Sequence, residues 1–256
     1  LILAPEAAFL PPELAGEGRV WGVSAQLYGL RGAKDAGVGG FSELGELAEG
    51  LGRLGCDVLG LNPLSALYPH RPEKFSPYAA SSRLALNILS IDTGDASPQA
   101  GGALVDYPLV AAWKRPLLEA MFAERQDDAE FRAWCAREGA WLRNHAIFEA
   151  LSEAMATQDY AWWRQWPIGY RRPDSPAVAT FALQSEERVD FFAYLQYRAD
   201  RQLAAAAKRA RAGGMRIGLY RDLAVGAAAD GSEAWSFQDT LASGVGMGAP
   251  PDALGP

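Results

Sequence analysis

Residues 185–225 carry the pattern that most narrows what this chain can become. A long helical stretch begins at Ser185, runs through Ala-rich sequence, meets Gly213-Gly214, and gives way to Met215-Arg216-Ile217-Gly218-Leu219-Tyr220-Arg221-Asp222-Leu223-Ala224-Val225. Glycine is the residue that leaves a helix through positive φ. The short apolar run after it reads as a strand that delivers a carboxylate at its carboxyl end. Helix, glycine turn, strand and polar residue follow one another in parallel α/β folds, where ligands gather beyond the carboxyl ends of the strands. Asp222 stands at that point.

The amino-terminal third repeats the theme. Val20 to Leu27 and Val58 to Leu61 read as strands, and Leu44, Leu47, Ala48, Leu51 and Leu54 recur between them on one helical face. Ser42 is the expected N-cap, with Glu43, Glu46 and Glu49 near the positive end of the helix dipole. This is a βαβ unit. Gly37, Gly39 and Gly40 precede the helix, but they lack the full dinucleotide pattern and the lysine of a phosphate loop.

After the second strand the loop offers Asn62-Pro63-Leu64, Phe75-Ser76-Pro77-Tyr78, Ser81-Ser82-Arg83 and Asn87. Hydroxyls, an amide, an aromatic face and arginine donors suit a polyhydroxylated ligand, and no nucleophile–base pair accompanies them. From about Ser97 to Gln202 the chain turns helical and aromatic, with Asp106-Tyr107-Pro108 leading to a helix from Trp113 onwards. Phe131, Trp134, Cys135, Leu142, Phe148 and Leu151 fit a helix-packing core. Trp162, Trp163 and Trp166 could stack a sugar, yet burial for area is the simpler account. His70, on a loop, and His145, in the aromatic helix, form no metal spacing, and no motif requires a metal or an organic cofactor.

A net charge of −7 with no basic block argues against a nucleic-acid partner. The run Lys208-Arg209-Ala210-Arg211 suits a helix carboxyl end, where cations complement the dipole. Cys56 and Cys135 read as reduced thiols, which suits a cytoplasmic protein, and no apolar run has the ~18 residues of a membrane span. The chain starts at Leu1, and Gly248-Ala249-Pro250-Pro251-Asp252-Ala253-Leu254-Gly255-Pro256 reads as the middle of a loop, so an internal fragment of a longer protein is expected.

Seven motifs in order carry a family resemblance. Trp21-Gly22-Val23-Ser24-Ala25-Gln26-Leu27-Tyr28, Gly37-Val38-Gly39-Gly40-Phe41, Leu61-Asn62-Pro63-Leu64, Ser76-Pro77-Tyr78 with Ser81-Ser82-Arg83, Asn87 to Asp92, the strand ending at Asp222, and Gly248 to Asp252 resemble those of the 4-α-glucanotransferases. These are the amylomaltase or disproportionating enzymes of the α-amylase clan. Gly40, Ser65, Arg221 and Ala224 depart from the usual Asp, His, Gly and Pro of that family.

The resemblance implies an α/β fold: a partial (β/α)₈ TIM barrel of about three strands with a large helical insertion. Residues 1–96 would start the barrel, 97–202 form a mainly helical insertion leading into a barrel helix, and 203–256 supply the third strand and the start of an acceptor-site lid. It implies transfer of α-1,4-glucan segments between maltodextrins by a retaining double displacement, with nucleophile and acid/base beyond Pro256 and the segment alone inactive. The implied substrate-binding residues are Tyr78, which would stack a sugar, Asp222, Asn62 and Ser76, which would hydrogen-bond hydroxyls, and Asp252 in the lid. A noncatalytic maltodextrin-binding protein on this fold and a hydrolase of the clan stay open beside it, separable by whether maltotriose yields longer chains.

Overall fold

A computed structural model describes residues 4–94, 102–125, 129–242 and 244–245. In chain order the main elements are β1 (Gly22–Ala25), α1 (Phe41–Arg53), β2 (Val58–Leu61), β3 (Ser65–Ala66), β4 (Ser82–Leu86), α2 (Tyr107–Ala123), α3 (Ala129–Glu138), α4 (Ala140–Ala156), α5 (Pro176–Gln184), α6 (Glu186–Ala212), β5 (Gly218–Arg221) and α7 (Ser232–Ser236). β1, β2 and β5 form a parallel sheet in that order, with Gly22, Val58 and Gly218 in register.

Both expected strand–helix units form. α1 crosses from β1 to β2, and α6 returns the chain to β5 after the helical excursion. Gly214, at φ +111°, makes the left-handed exit from α6 that the Gly-Gly pair foretold. A Cβ on Gly52 would come within 2.8 Å of the Gly213 carbonyl carbon, so this glycine lets α1 and the end of α6 touch backbone to backbone. Leu44, Ala48, Leu59, Leu61, Ala199, Leu203, Ala206 and Ala210 close the core between these helices and one face of the sheet. On the other face Ser24, Gly60 and Tyr220 lie in register, and Tyr220 is 65% exposed.

Several elements differ from expectation. β1 and β5 are shorter than the apolar runs, because Trp21 and Met215–Ile217 serve the approach to the sheet: Asp57 accepts from the Trp21 N–H at 3.1 Å and from Arg216 Nε at 2.5 Å. Gly40, not Ser42, is the N-cap of α1. Its N–H donates to Glu43 Oε2 at 2.9 Å, while the Ser42 hydroxyl donates to Asp92 across the core. α2 starts at Tyr107, ahead of Trp113, since Asp106 Oδ1 caps the Leu109 N–H at 3.0 Å. The aromatic helix is two helices broken at Gly139, whose φ is +69°.

The antiparallel pair β3–β4 was not foreseen in the loop after β2. Two glutamines of α6, Gln196 buried and Gln202 half-buried, hold this region. Gln196 accepts from the Leu86 N–H at 2.8 Å and donates to the Leu86 carbonyl at 3.0 Å, and Gln202 does the same to Asp92 at 2.7 and 2.9 Å. Each side chain thus acts as one rung of an artificial ladder. Trp163 and Trp166 are buried with Phe148, Leu151 and Trp235 in a second cluster, which fits burial for area, whereas Trp162 is only half-buried and lies outside that cluster. Cys56 is buried, Cys135 half-buried, and both are free thiols.

Candidate functional site

An open cleft of about 770 Å³ lies at the carboxyl ends of the three parallel strands. Each strand contributes through its last residues: Ser24 and Gln26 from β1, Asn62 from β2, Tyr220 and Asp222 from β5. Tyr78 joins them from the loop between β3 and β4. The structure therefore brings together three of the residues singled out in the sequence, Asn62, Tyr78 and Asp222, which stand up to 160 positions apart in the chain.

Their local settings differ. The Asp222 N–H continues the ladder to the Leu61 carbonyl at 2.9 Å, which fixes the backbone, while the side chain is exposed and has no hydrogen-bond partner among the described residues. A carboxylate held by a strand but free at its oxygens can accept from ligand hydroxyls. Tyr78 is 61% exposed and presents a ring to the same space. Asn62 is committed to the fold: its Oδ1 accepts from the Leu27 N–H at 2.9 Å and its Nδ2 donates to the Pro63 carbonyl at 3.2 Å. It pins the turn after β1 against the end of β2, so its place at the cleft wall is as much structural as polar.

Ser76 is exposed but outside the cleft lining, and its carbonyl closes a turn with the Ala79 N–H at 3.1 Å. Asp252 and the segment likened to a lid lie outside the described residues. The loop reading of Ser81, Ser82, Arg83 and Asn87 as ligand groups is corrected. Ser81 and Ser82 are buried, and Asn87 Oδ1 accepts from the Leu89 N–H at 3.0 Å. Arg83 donates to Glu233 at 2.5 and 3.1 Å, which ties β4 to α7 and raises the guanidinium pKa.

The loop that carries Tyr78 is clamped at its base. Asp230 accepts from the Tyr68 hydroxyl at 2.6 Å, lies 3.2 Å from Arg71 and binds Lys74. Burial would raise the Asp230 carboxyl, but the bonds from Lys74 and Tyr68 and the charge of Arg71 outweigh it and hold the pKa below the usual carboxylate range. Tyr68 is pushed up by burial and by its bond to Asp230.

A second cluster of titratable groups is sealed in the interior. His145 Nδ1 is 2.8 Å from the Ser232 hydroxyl and 4.0 Å from Glu149 Oε1. Burial lowers His145 to about 4 and raises Glu149 to about 8. A nucleophilic triad needs the hydroxyl and the carboxylate on opposite ring nitrogens, whereas both face Nδ1 here. The cluster therefore joins α4 to α7 and offers no hydrolytic chemistry. Among the described residues no three His, Cys, Asp or Glu side chains are grouped to hold a metal, and no helix is long and apolar enough to cross a membrane.

With the cleft placed at the ends of parallel strands, the comparison with known proteins becomes specific. A family profile described as 4-alpha-glucanotransferase (Glyco_hydro_77) matches residues 25–256, which include every described residue of the cleft except Ser24. The chain belongs to the 4-alpha-glucanotransferase family. Among relatives of this 4-alpha-glucanotransferase family member, the enzyme of Haemophilus influenzae is 31% identical across all of this chain and 42% of its own length. That of Mycobacterium tuberculosis is 32% identical across 98% of this chain and 38% of its own. The chain thus spans less than half the length of these relatives. The solved amylomaltase of Corynebacterium glutamicum superposes with a TM-score of 0.68 at 29% identity, over 85% of this chain and 32% of that one. The amylomaltase of Streptococcus agalactiae in complex with acarbose shares the fold with a TM-score of 0.73 at 22% identity, over 86% and 46%.

Within this family member, Ser24, Gln26 and Tyr220 are cleft residues that the sequence did not single out. A signal for Tyr220 was present: it stands two positions before Asp222, and alternate strand residues share a face. Gln26 follows β1 at the position matching the exit of a strand already identified.

Proposed function

We propose that this chain supplies the glucan-holding part of a 4-α-glucanotransferase, which moves α-1,4-glucan segments between maltodextrins with retention. The observation that carries the reading is the convergence of the Tyr78 ring and the Asp222 carboxylate, unpaired among the described residues, on one open cleft in a member of this family. The ring offers an apolar face to a pyranose, and the carboxylate accepts from its hydroxyls. Asn62 shapes the wall; Ser76 and Asp252 remain outlying binding candidates.

A retaining double displacement needs two carboxyl groups about 5 Å apart. Among the described residues lining the cleft only Asp222 carries one, which supports a binding role for it and the reading that the nucleophile and acid/base come from another part of the full-length protein. Asp222 then acts by orienting sugar.

We also propose that the sheet is an arc of a (β/α)₈ barrel. Supporting this, one face carries α1 and α6 while the other presents Ser24, Gly60 and Tyr220, and β1 and β5 have a free edge each among the described residues. In a barrel that face looks inward. Residues 1–96 and 203–256 would then be barrel, and 97–202 a mainly helical insertion that leads into the barrel helix α6. The proposed partners are maltodextrins, and the proposed location is the cytoplasm.

Incubating the full-length protein with maltotriose tests the activity. Glucose together with chains longer than three units supports transfer. Shorter products alone indicate a hydrolase, and binding without turnover indicates a noncatalytic relative.

A further inference from the structure

Tyr78 and Asp222 belong to distant parts of the chain, and the sheet fixes only one of them. Asp222 continues β5, whereas Tyr78 rides on the loop between β3 and β4. The distance from ring to carboxylate is therefore set by the contacts between that loop and the segment leading away from Asp222.

That segment is firmly held. The Trp163 indole N–H donates to the Ala229 carbonyl at 3.1 Å, and the Ser232 hydroxyl lies 2.8 Å from His145 Nδ1. Trp163 and His145 are both buried, so each tie ends in the packed interior. At Gly231 a Cβ would come within 2.3 Å of the Ser81 carbonyl oxygen, so the two loops run backbone against backbone there.

The Tyr78 loop hangs from this segment on both sides. After Tyr78, the Ala228 N–H donates to the Ala80 carbonyl at 2.8 Å and the Glu233 N–H to the Ser81 carbonyl at 3.0 Å. Before it, the tie is the Asp230 carboxylate, which accepts from the Tyr68 hydroxyl, pairs with Arg71 and binds Lys74. The two sides differ in kind. Backbone bonds survive a change of side chain, but the tie before Tyr78 depends on one charge. Arg71 and Lys74 both lie over the Tyr68 ring, 4.7 and 5.1 Å from its centroid, so two cations share a small volume that Asp230 neutralises. Without that charge they repel each other, and the exposed Lys74 swings into water with the turn that leads to Tyr78.

We propose that Asp230 is a positioning residue: by holding Arg71 and Lys74 it fixes where the Tyr78 ring stands relative to the Asp222 carboxylate, and so sets how tightly the two grip one sugar chain. Asp230 lies outside the cleft lining and acts through Tyr78. The proposal rests on the glucan-holding reading of the cleft.

The test measures kcat and KM on maltotriose for the full-length protein as wild type, Asp230→Asn, Lys74→Met, Tyr78→Ala and the double variant Asp230→Asn/Tyr78→Ala. Melting temperatures and hydrogen exchange of the Lys74, Ala79 and Ala228 amides are recorded beside them. Asp230→Asn is expected to raise KM about 3- to 30-fold with kcat little changed, because a grip made alike in ground and transition states is read in KM. The Lys74 and Ala79 amides lose protection while that of Ala228 keeps it. Lys74→Met, at an exposed side chain, shifts KM in the same direction. In the Tyr78→Ala background, Asp230→Asn leaves KM nearly unchanged, since its effect passes through the ring. Unchanged KM in Asp230→Asn, an equal rise with and without Tyr78, or a fall in kcat and melting temperature at constant KM overturns the positioning role. Wild-type KM in Tyr78→Ala overturns the cleft reading instead, and amide protection then decides by itself whether Asp230 fixes the loop.

Discussion

Gln196→Leu removes the side chain that holds the Tyr78-bearing region to α6 while keeping a similar volume. Gln196 is 3% exposed, so water cannot replace its bonds of 2.8 and 3.0 Å to the Leu86 backbone. Two orphaned buried groups cost roughly 1–3 kcal/mol each, and the added apolar burial of leucine returns about 1–2 kcal/mol. At the middle of these ranges the net loss is about 2–3 kcal/mol, concentrated in local opening of β4 because the bonds are local. Hydrogen exchange reads this directly. The Asn87 N–H, bonded to the Leu64 carbonyl, and the Ser81 N–H, bonded to the Ala66 carbonyl, bracket β4 at 2.9 Å each. Their protection should fall by about 30- to 150-fold, given a tenfold change for each 1.4 kcal/mol. Amides in the middle of α1 should keep theirs. Unchanged protection at Ser81 and Asn87 would refute the claim that Gln196 is the anchor.

Asp222→Asn in the full-length protein removes the charge without disturbing the backbone bond to Leu61; kcat/KM on maltotriose should fall about 10- to 100-fold, one or two charge-assisted hydrogen bonds, with the melting temperature unchanged. A lowered melting temperature with normal turnover would make Asp222 a structural cap instead. Glu149, raised to about 8, holds its proton in the folded state at pH values where the unfolded chain, at 4.5, has released it. Its contribution to stability therefore falls as pH rises from about 4.5 to about 8. His145, lowered to about 4 from 6.5, acts in the opposite sense below 6.5, so the Glu149 slope stands clear of it between 6.5 and 8. Urea titrations at several pH values should show that slope flattened in Glu149→Gln, and an unchanged slope would count against the buried acid. Glu233→Ala strands the half-buried Arg83 and frees α7 from β4; chemical denaturation should report a loss of about 2–4 kcal/mol, recovered in part by Arg83→Leu in the same chain.

What was legible in the sequence is what repeats locally. Leucine spacing marked α1, Gly213-Gly214 marked the exit from α6, and the apolar runs at Val58 and Ile217 marked strands, because each signal is contained in a few neighbouring residues. The β3–β4 pair left no such trace: β3 is two residues long and pairs across a register shift with a strand 16 positions away. Ser42 looked like a cap, but Glu43 already held the Gly40 N–H and Asp92 claimed the serine from 50 residues off. Arg83 looked available for a ligand until Glu233, 150 residues later, took both its side chain and its N–H. At the site, the strand-end rule found Asp222, and the family resemblance found Tyr78. Neither could show that Asn62 is held by Leu27, since that bond exists only once β1 and β2 are side by side.

The most direct measurement of the central claim is a structure of the full-length protein with maltoheptaose bound. The account predicts a glucose ring against Tyr78, with sugar hydroxyls within hydrogen-bond distance of the Asp222 carboxylate. Carbohydrate held elsewhere, with the cleft between Ser24, Tyr78 and Tyr220 unoccupied, would contradict it.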